Sequence, residues 1–295
     1  MSIHANVDDD SGIEQIVPAV GVVPRAALPD SDALLAETIA RHGNDPDFVT
    51  ALARGLAVLL TLSDKKRRMS IAQVSHRTGI PRAAVRRSLH TLAELGFVAA
   101  DDALHFYLRP RVLSISHGYL SASPIATHAQ PILDRLGELL REACSLATLD
   151  GDEIVYLARS ASSRIMSPAL NVGRRLPAYC TSIGHAMLAQ LPLAELDQYF
   201  ARTRFHPYTA HTPSSVAALC ALLNDVRDSG FAFASQLMEP RLCTLAVPVH
   251  DIAGNCVAGI NVILQDRLIT RDEMAEHFYR PLHGAAVELG LLLSP

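Results

Sequence analysis

The chain of 295 residues has no tryptophan, and aromatic residues make up only 5% of it. Its only lysines, Lys65 and Lys66, stand side by side. Five cysteines (Cys144, Cys180, Cys220, Cys243, Cys256) are odd in number and widely spaced, with no C-x-x-C pair. That argues against a disulfide scaffold or a zinc site and leaves buried reduced thiols as the expectation. No apolar run reaches the roughly 18 residues a membrane span needs. The acidic, polar start lacks the basic-then-apolar pattern of a secretory leader, so a cytoplasmic protein with no membrane partner is expected. No internal repeat is present. Also missing are G-x-S-x-G, the P-loop, H-E-x-x-H and G-x-G-x-x-G, each of which would announce an enzyme. His206 and His211 flank a Pro-Tyr turn, but no cysteine or acid sits at ligand spacing. The expectation is no metal, no cofactor and no catalysis.

What the chain does have is a local excess of positive charge. Residues 64–111 hold ten Lys and Arg against four Asp and Glu, a net of +6, within a protein of formal net charge −4. Residues 1–63 carry −6 and residues 112–295 carry −4. An acidic protein with one basic segment is no general polyanion binder; the asymmetry puts a phosphate-facing surface on one region.

Inside that region, residues 69–98 read MSIAQVSHRTGIPRAAVRRSLHTLAELGFV. Ser70 with Gln73 three residues on is a capping box. Gly79 stands where a first helix stops in a left-handed turn, and Pro81 suits the first turn of a second helix. Val85, Leu89 and Leu92 fall on one side of that second helix, and Ala83, Arg86, Arg87 and His90 on the other. Two short helices around a glycine turn, the second with an arginine-bearing outer face, are what a helix-turn-helix needs to enter a major groove. Phe97–Ala100 and Leu104–Leu108 around Asp101-Asp102-Ala103 read as a hairpin, making the motif winged. Residues 47–62 supply a preceding helix, with Leu52, Leu56 and Leu59 or Leu60 on one face. The DNA-facing set is Lys65 and Lys66, Ser70 and Gln73, Arg82, Ala83, Arg86, Arg87 and His90, with His105 and Arg109 on the wing. The partner is a double-stranded operator.

The expected organisation is a mobile extension over 1–46, with a short helix at 31–42 of unread role. A winged helix-turn-helix follows over 47–110, a linking helix over 111–123, and a larger domain over 124–295. In the last, 125–143, 182–191, 216–229 and 270–292 read as helices. Residues 146–149, 153–158, 231–234, 243–249 and 256–264 read as strands, the first two joined by the Asp150-Gly151 hairpin turn. This order suits the α+β class, an antiparallel sheet with helices packed on it. Polar residues are dense between 162 and 182: Arg164, Tyr179, Thr181 and Ser182 are suited to hold a carboxylate and a phenolic ring, although Arg164 reads equally as a surface arginine. Asn261 interrupts the apolar strand GINVIL, so backbone groups or a ligand must satisfy it. Arg241 reads as a surface pair with Glu239.

ARGLAVLLTL, TGIPRAAVRRSLHTLAELGFV, GRRLPAYCTSIGHAMLA, GFAFASQLMEPRLCTLAVPV and GNCVAGINVIL together resemble the IclR family of bacterial transcription regulators over about residues 47–293. Within it, EIVYLARSASSRIMSPALNVGRRLPAYCTS looks most like regulators of the β-ketoadipate pathway, which sense protocatechuate, 4-hydroxybenzoate or related intermediates. The resemblance implies a GAF-like effector-binding domain, a homodimer that can pair into a tetramer, and a small aromatic or keto acid as effector. A non-aromatic small carboxylate is the alternative. It also implies effector contacts at Leu176, Ser182, Ile183, Ala234, Leu242, Thr244, Asn261 and Ile263. Ala234, Arg241, Thr244 and the Ala83-Ala84 pair depart from the residues the family usually has there.

Overall fold

The computed structural model describes residues 31–63, 68–160 and 171–293. Lys65, Lys66 and Arg164 lie outside them, as do residues 1–30 of the expected extension.

The first unit is built by helices α1 (Ser31–Arg41), α2 (Thr50–Leu62), α3 (Ile71–Thr78) and α4 (Arg82–Glu94) and strands β1 (Val98–Ala100) and β2 (Phe106–Leu108). The local signals act as read. Ser70 Oγ accepts from the Gln73 N–H, Gln73 Oε1 accepts from the Ser70 N–H, and Gly79 takes the left-handed turn at φ 68°. Pro81 sits one place earlier than expected, as the N-cap of α4. The hairpin strands are shorter than read, pairing Val98 with Leu108 and Ala100 with Phe106. The core is small: Ala57, Val58, Leu62, Met69, Val74, Ile80, Val85, Leu89 and Val98. Leu35 and Ile39 of α1 pack against it, so this part of the supposed extension belongs to the first unit. The Leu52, Leu56, Leu60 face of α2 is turned outward, at 61%, 51% and 52% exposure; Ala57, Val58, Thr61 and Leu62 face the core instead.

After a 3₁₀ turn at Pro110–Val112, helix α5 (Leu113–Ala122) leads to α6 (Pro124–Leu140). The second unit is a six-stranded sheet, fully antiparallel, ordered β5-β4-β3-β8-β7-β6. Its strands are β3 (Ala143–Asp150), β4 (Glu153–Arg159), β5 (Arg175–Pro177), β6 (Ala232–Ser235), β7 (Leu242–His250) and β8 (Cys256–Gln265). Between β5 and β6 run α7 (Ser182–Leu188), α8 (Leu193–Arg202) and α9 (Val216–Ser229). Strand β5 and helix α8 carry no signal the sequence reading caught. The final helix starts as read, with a Thr270–Glu273 capping box, but is broken: α10 (Arg271–Met274), a π turn at Ala275–Tyr279, then α11 (Arg280–Leu291).

Strand alternation splits the core in two. Cys144, Leu146, Cys243, Leu245, Val247, Ile260, Val262 and Leu264 face α6 and α11. Ala147, Ile154, Tyr156, Ala232 and Ala246 face α7, with α8 and α9 outside it. Helix α7 lies very close to its neighbours. A Cβ on Gly184 would stand 2.0 Å from the Ala178 carbonyl oxygen, and one on Gly259 of β8 would stand 2.9 Å from Ile183.

Candidate functional site

Two sites emerge, one on the surface of the first unit and one inside the second. On the first, Arg82, Ala83, Arg86, Arg87 and His90 are all exposed, opposite the buried Val85 and Leu89. Residues 69–93 contain four arginines and two histidines but no acid. Ser70 and Gln73 are engaged with each other in the capping box. On the wing, Arg109 is exposed and its N–H donates to the Phe97 carbonyl. Asp101 organises the hairpin. Its Oδ1 accepts from the His105 and Ala103 N–H groups, and its Oδ2 from Arg68 at 2.9 Å. The His105 backbone hydrogen bond, helped by Arg68, holds the Asp101 carboxyl below its ordinary range. Arg68 also lies over the Tyr107 ring, 4.7 Å from its centre. The surface is thus a cationic helix flanked by a wing with a fixed shape.

The second site is assembled by strand register. Ser145 of β3 stands opposite Asn261 of β8, and Asn261 opposite Ala246 of β7. One row over, Ala143, Ile263, Thr244 and Ala234 align across four strands. Both rows lie on the α7 face, because Cys144, Leu146 and Val262 between them point the other way. Leu242 shares that face by alternation with Thr244, and Leu176 by its pairing with Ile154. Ile183 caps the layer from α7. So Leu176, Ile183, Ala234, Leu242, Thr244, Asn261 and Ile263 are brought to one layer, together with Ser182 in the first turn of α7.

That layer holds unsatisfied polar atoms. Ser145 (0% exposed), Ser182 (2%) and Asn261 (3%) each bury a side-chain oxygen without a hydrogen-bond partner. An orphan of this kind costs about 1–3 kcal/mol unless something answers it. Two other expected contacts are already engaged. The Tyr179 hydroxyl donates to the His206 carbonyl and accepts from the His206 N–H. Thr181 Oγ1 caps α7, accepting from the Gly184 N–H. These two hold the layer's frame. Arg241 pairs with Asp266.

Ser145, Tyr156, Arg159 and Arg174 were missed by the sequence reading. Arg159 pairs with Ser145, which puts it on the α7 face. Burial lowers the pKa of the Arg159 guanidinium, while the nearby Tyr156 opposes that effect. Burial raises the pKa of the Tyr156 phenol against the charges of Arg159 and Arg174. His185 of α7 is fully enclosed, its Nε2–H donating to the Tyr179 carbonyl at 2.7 Å, and burial pushes its pKa down to about 4. Among the described residues, no cluster of three or more His, Cys, Asp or Glu forms a metal site, and no helix is long and apolar enough to cross a membrane.

Known proteins agree with this two-part design. The family model for the IclR helix-turn-helix domain matches residues 51–102, and that for the bacterial transcriptional regulator IclR C-terminal domain matches residues 117–290. The chain is 42% identical over 290 residues to the Pca regulon regulatory protein of Pseudomonas putida, covering 98% of each. A crystal structure of a transcriptional regulator from Rhodococcus sp. RHA1 matches with TM-score 0.71 and 36% identity, over 83% of this chain and 98% of that one. An IclR homologue from Microbacterium hydrocarbonoxydans, solved with 4-hydroxybenzoate, shares the fold at TM-score 0.67 and 21% identity, over 81% of this chain and 97% of that one. A basic winged head joined to a sheet domain with a polar interior is therefore a regulator and not an enzyme: the chain belongs to the IclR family of ligand-responsive, DNA-binding transcriptional regulators.

Proposed function

We propose that this chain is a dimeric cytoplasmic regulator whose α4 reads double-stranded DNA and whose layer between α7 and the sheet binds a small aromatic or keto acid. The observation that carries the effector reading is the trio of buried, unpartnered oxygens on Ser145, Ser182 and Asn261. A ligand hydroxyl that donates to the Asn261 Oδ1 and accepts from the two serine hydroxyls would relieve three desolvation penalties at once. Arg159, sharing a face with Ser145, is the cation we assign to the ligand's carboxylate. Leu176, Ile183, Leu242 and Ile263 supply the apolar lining. The relation to a Pca regulon regulator, and to a fold neighbour solved with 4-hydroxybenzoate, supports this ligand class.

The DNA contacts we assign are Arg82, Ala83, Arg86, Arg87 and His90 of α4, with His105 and Arg109 of the wing. The outward stripe Val49, Leu52, Leu56 and Leu60, together with Leu113, Ile115 and Tyr119 of α5, supports a dimer formed through α2 and the linking helix. Two heads would then read half-sites separated by whole turns of roughly 34 Å. Sedimentation of the full chain at micromolar concentration gives a dimer, and Leu52→Glu with Leu56→Glu gives a monomer.

Calorimetry of the full chain with protocatechuate, 4-hydroxybenzoate and β-ketoadipate tests the sensor. At least one binds below millimolar, and its affinity changes when DNA is present by the same factor as DNA affinity changes with ligand, typically about 1–3 kcal/mol. If none binds, the effector is another small carboxylate.

A further inference from the structure

Two of the four acids in the basic region, Asp101 and Asp102, stand at the turn of the wing, beside His105 and Arg109. A carboxylate there repels phosphate through space. Asp101 is nonetheless fully engaged. Its Oδ1 accepts from two N–H groups of the turn, and the His105 ring lies 3.6 Å from the same oxygen. Its Oδ2 accepts from Arg68, the residue before Met69. Met69 and Phe106 exchange both backbone hydrogen bonds, at 3.0 and 2.8 Å, and Ser70 then caps α3. The Arg68 guanidinium lies over the ring of Tyr107, next to Phe106 in β2. Arg68 therefore reaches from the root of α3 to both the turn and the second strand of the wing.

We infer that Arg68 is a positioning residue: paired with Asp101 and stacked on Tyr107, it sets the wing against α3 and α4 so that His105 and Arg109 meet the same duplex as the recognition helix. The inference rests on the DNA-reading role proposed for α4 and the wing, and it takes Arg68 out of the set of cations that hold phosphate. Three observations carry it. One guanidinium face is covered by the Tyr107 ring and one N–H is spent on Asp101 at 2.9 Å, so the cation is held in place and its charge is answered. Among the described residues, backbone pairing between the root of α3 and the wing is limited to Met69 and Phe106, and Arg68 adds a tie farther out, at the turn. The pair lies at the surface, with the Arg68 side chain 56% exposed, and exposed pairs add little to stability. What the tie fixes is direction, and contacts to the DNA backbone depend on direction because they set register and orientation.

The test is fluorescence anisotropy of the full chain on a 30-bp duplex of scrambled sequence across a salt series, and it turns on a sign. Asp101→Asn removes a negative charge from the DNA side and keeps an oxygen for the two N–H groups of the turn. If Arg68 positions the wing, this variant weakens binding about three- to tenfold and lowers the slope of log K against log salt by about one unit, because a wing contact is lost. If Arg68 holds phosphate itself, freeing it from Asp101 tightens binding and raises the slope. Arg68→Gln matches Asp101→Asn, the double variant is no weaker than either single one, and Arg68→Lys binds as the wild type does. The melting temperature stays unchanged throughout. Unchanged or tighter binding by Asp101→Asn overturns the inference and leaves the reading of bases by α4 intact. Losses that add in the double variant also overturn it, since Arg68 then acts on its own, and so does a drop in melting temperature, which assigns the pair to the fold. If the wild-type chain binds no duplex even at low salt, DNA reading falls and the positioning role with it.

Discussion

The two halves of this protein build their sites from opposite materials. Among the described residues the head has a core of nine buried apolar side chains, and its candidate DNA contacts stand outside it, on a helix whose inner face is fixed by Val85 and Leu89. The sheet domain does the reverse, burying its polar groups in the layer under α7, where three oxygens have no partner. A surface site is tuned by charge and costs the fold little. An interior site is tuned by register, and its buried orphan oxygens cost the fold stability unless a ligand answers them.

The comparison is broken most severely at Gly184. Replacing it with alanine drives a Cβ into the Ala178 carbonyl, and destabilisation of about 3 kcal/mol or more is expected. Thermal unfolding should show the sheet domain melting early, with effector binding lost. No substitution on the outer face of α4 should approach that.

Acid comes next. His185 keeps its folded-state pKa near 4 by burial, while the unfolded chain takes up that proton near the ordinary value of about 6.5. The group's contribution is therefore complete above pH 6.5 and is lost as pH falls toward 4, at up to about 1.4 kcal/mol per unit. Urea unfolding at pH 7, 6 and 5 measures it, and His185→Gln flattens the decline.

Removing an unpartnered oxygen sharpens the contrast between fold and function. Ser145→Ala should leave stability unchanged or raise it by up to about 1 kcal/mol, because a buried orphan is deleted. Effector affinity should fall several-fold in the same variant, read by calorimetry. A loss of stability would assign the hydroxyl to the fold and not to the ligand.

The smallest effects belong to the head. Arg86→Ala or Arg87→Ala costs about 1–3 kcal/mol on a cognate site if the side chain reads guanine, or about one unit of salt slope if it holds phosphate. Neither changes the melting temperature, since both side chains are exposed.

The same contrast explains what the sequence disclosed. The head was legible because its signals are local: a capping box, a glycine at positive φ, and charges that stay on the surface. The Leu52–Leu60 stripe of α2 was legible as a face, but an isolated helix pattern does not say what covers that face. In the sheet domain, Ser182 and Asn261 were read from their own polarity and the apolar part of the layer came through family motifs, while Ser145 and Arg159 were cut off by two boundary errors. Helix α6 ends with Arg141 in a left-handed conformation that sequence rules give to glycine or asparagine. The helical reading therefore ran on through Ala143, and β3 began after Ser145. The reading of β4 stopped at Ala158, one residue short of Arg159. Tyr179 and Thr181 looked like ligand contacts because the sequence cannot say that His206 and Gly184 already occupy their hydroxyls.

The irregularity between β3 and β4 also bears on chain length. Six residues of β3, Ser145–Asp150, run against seven of β4, because Leu146 pairs with Ala158 and Ala147 with Tyr156. Leu157 is the surplus, and it lets Tyr156 and Arg159, three apart, share a face. The chain could lose that one residue and return to plain alternation with the same partners still meeting. Relatives that differ here by one residue in length therefore need not differ in which side chains reach the α7 layer, and an alignment that forbids a gap at this point will compare Arg159 with the wrong neighbour.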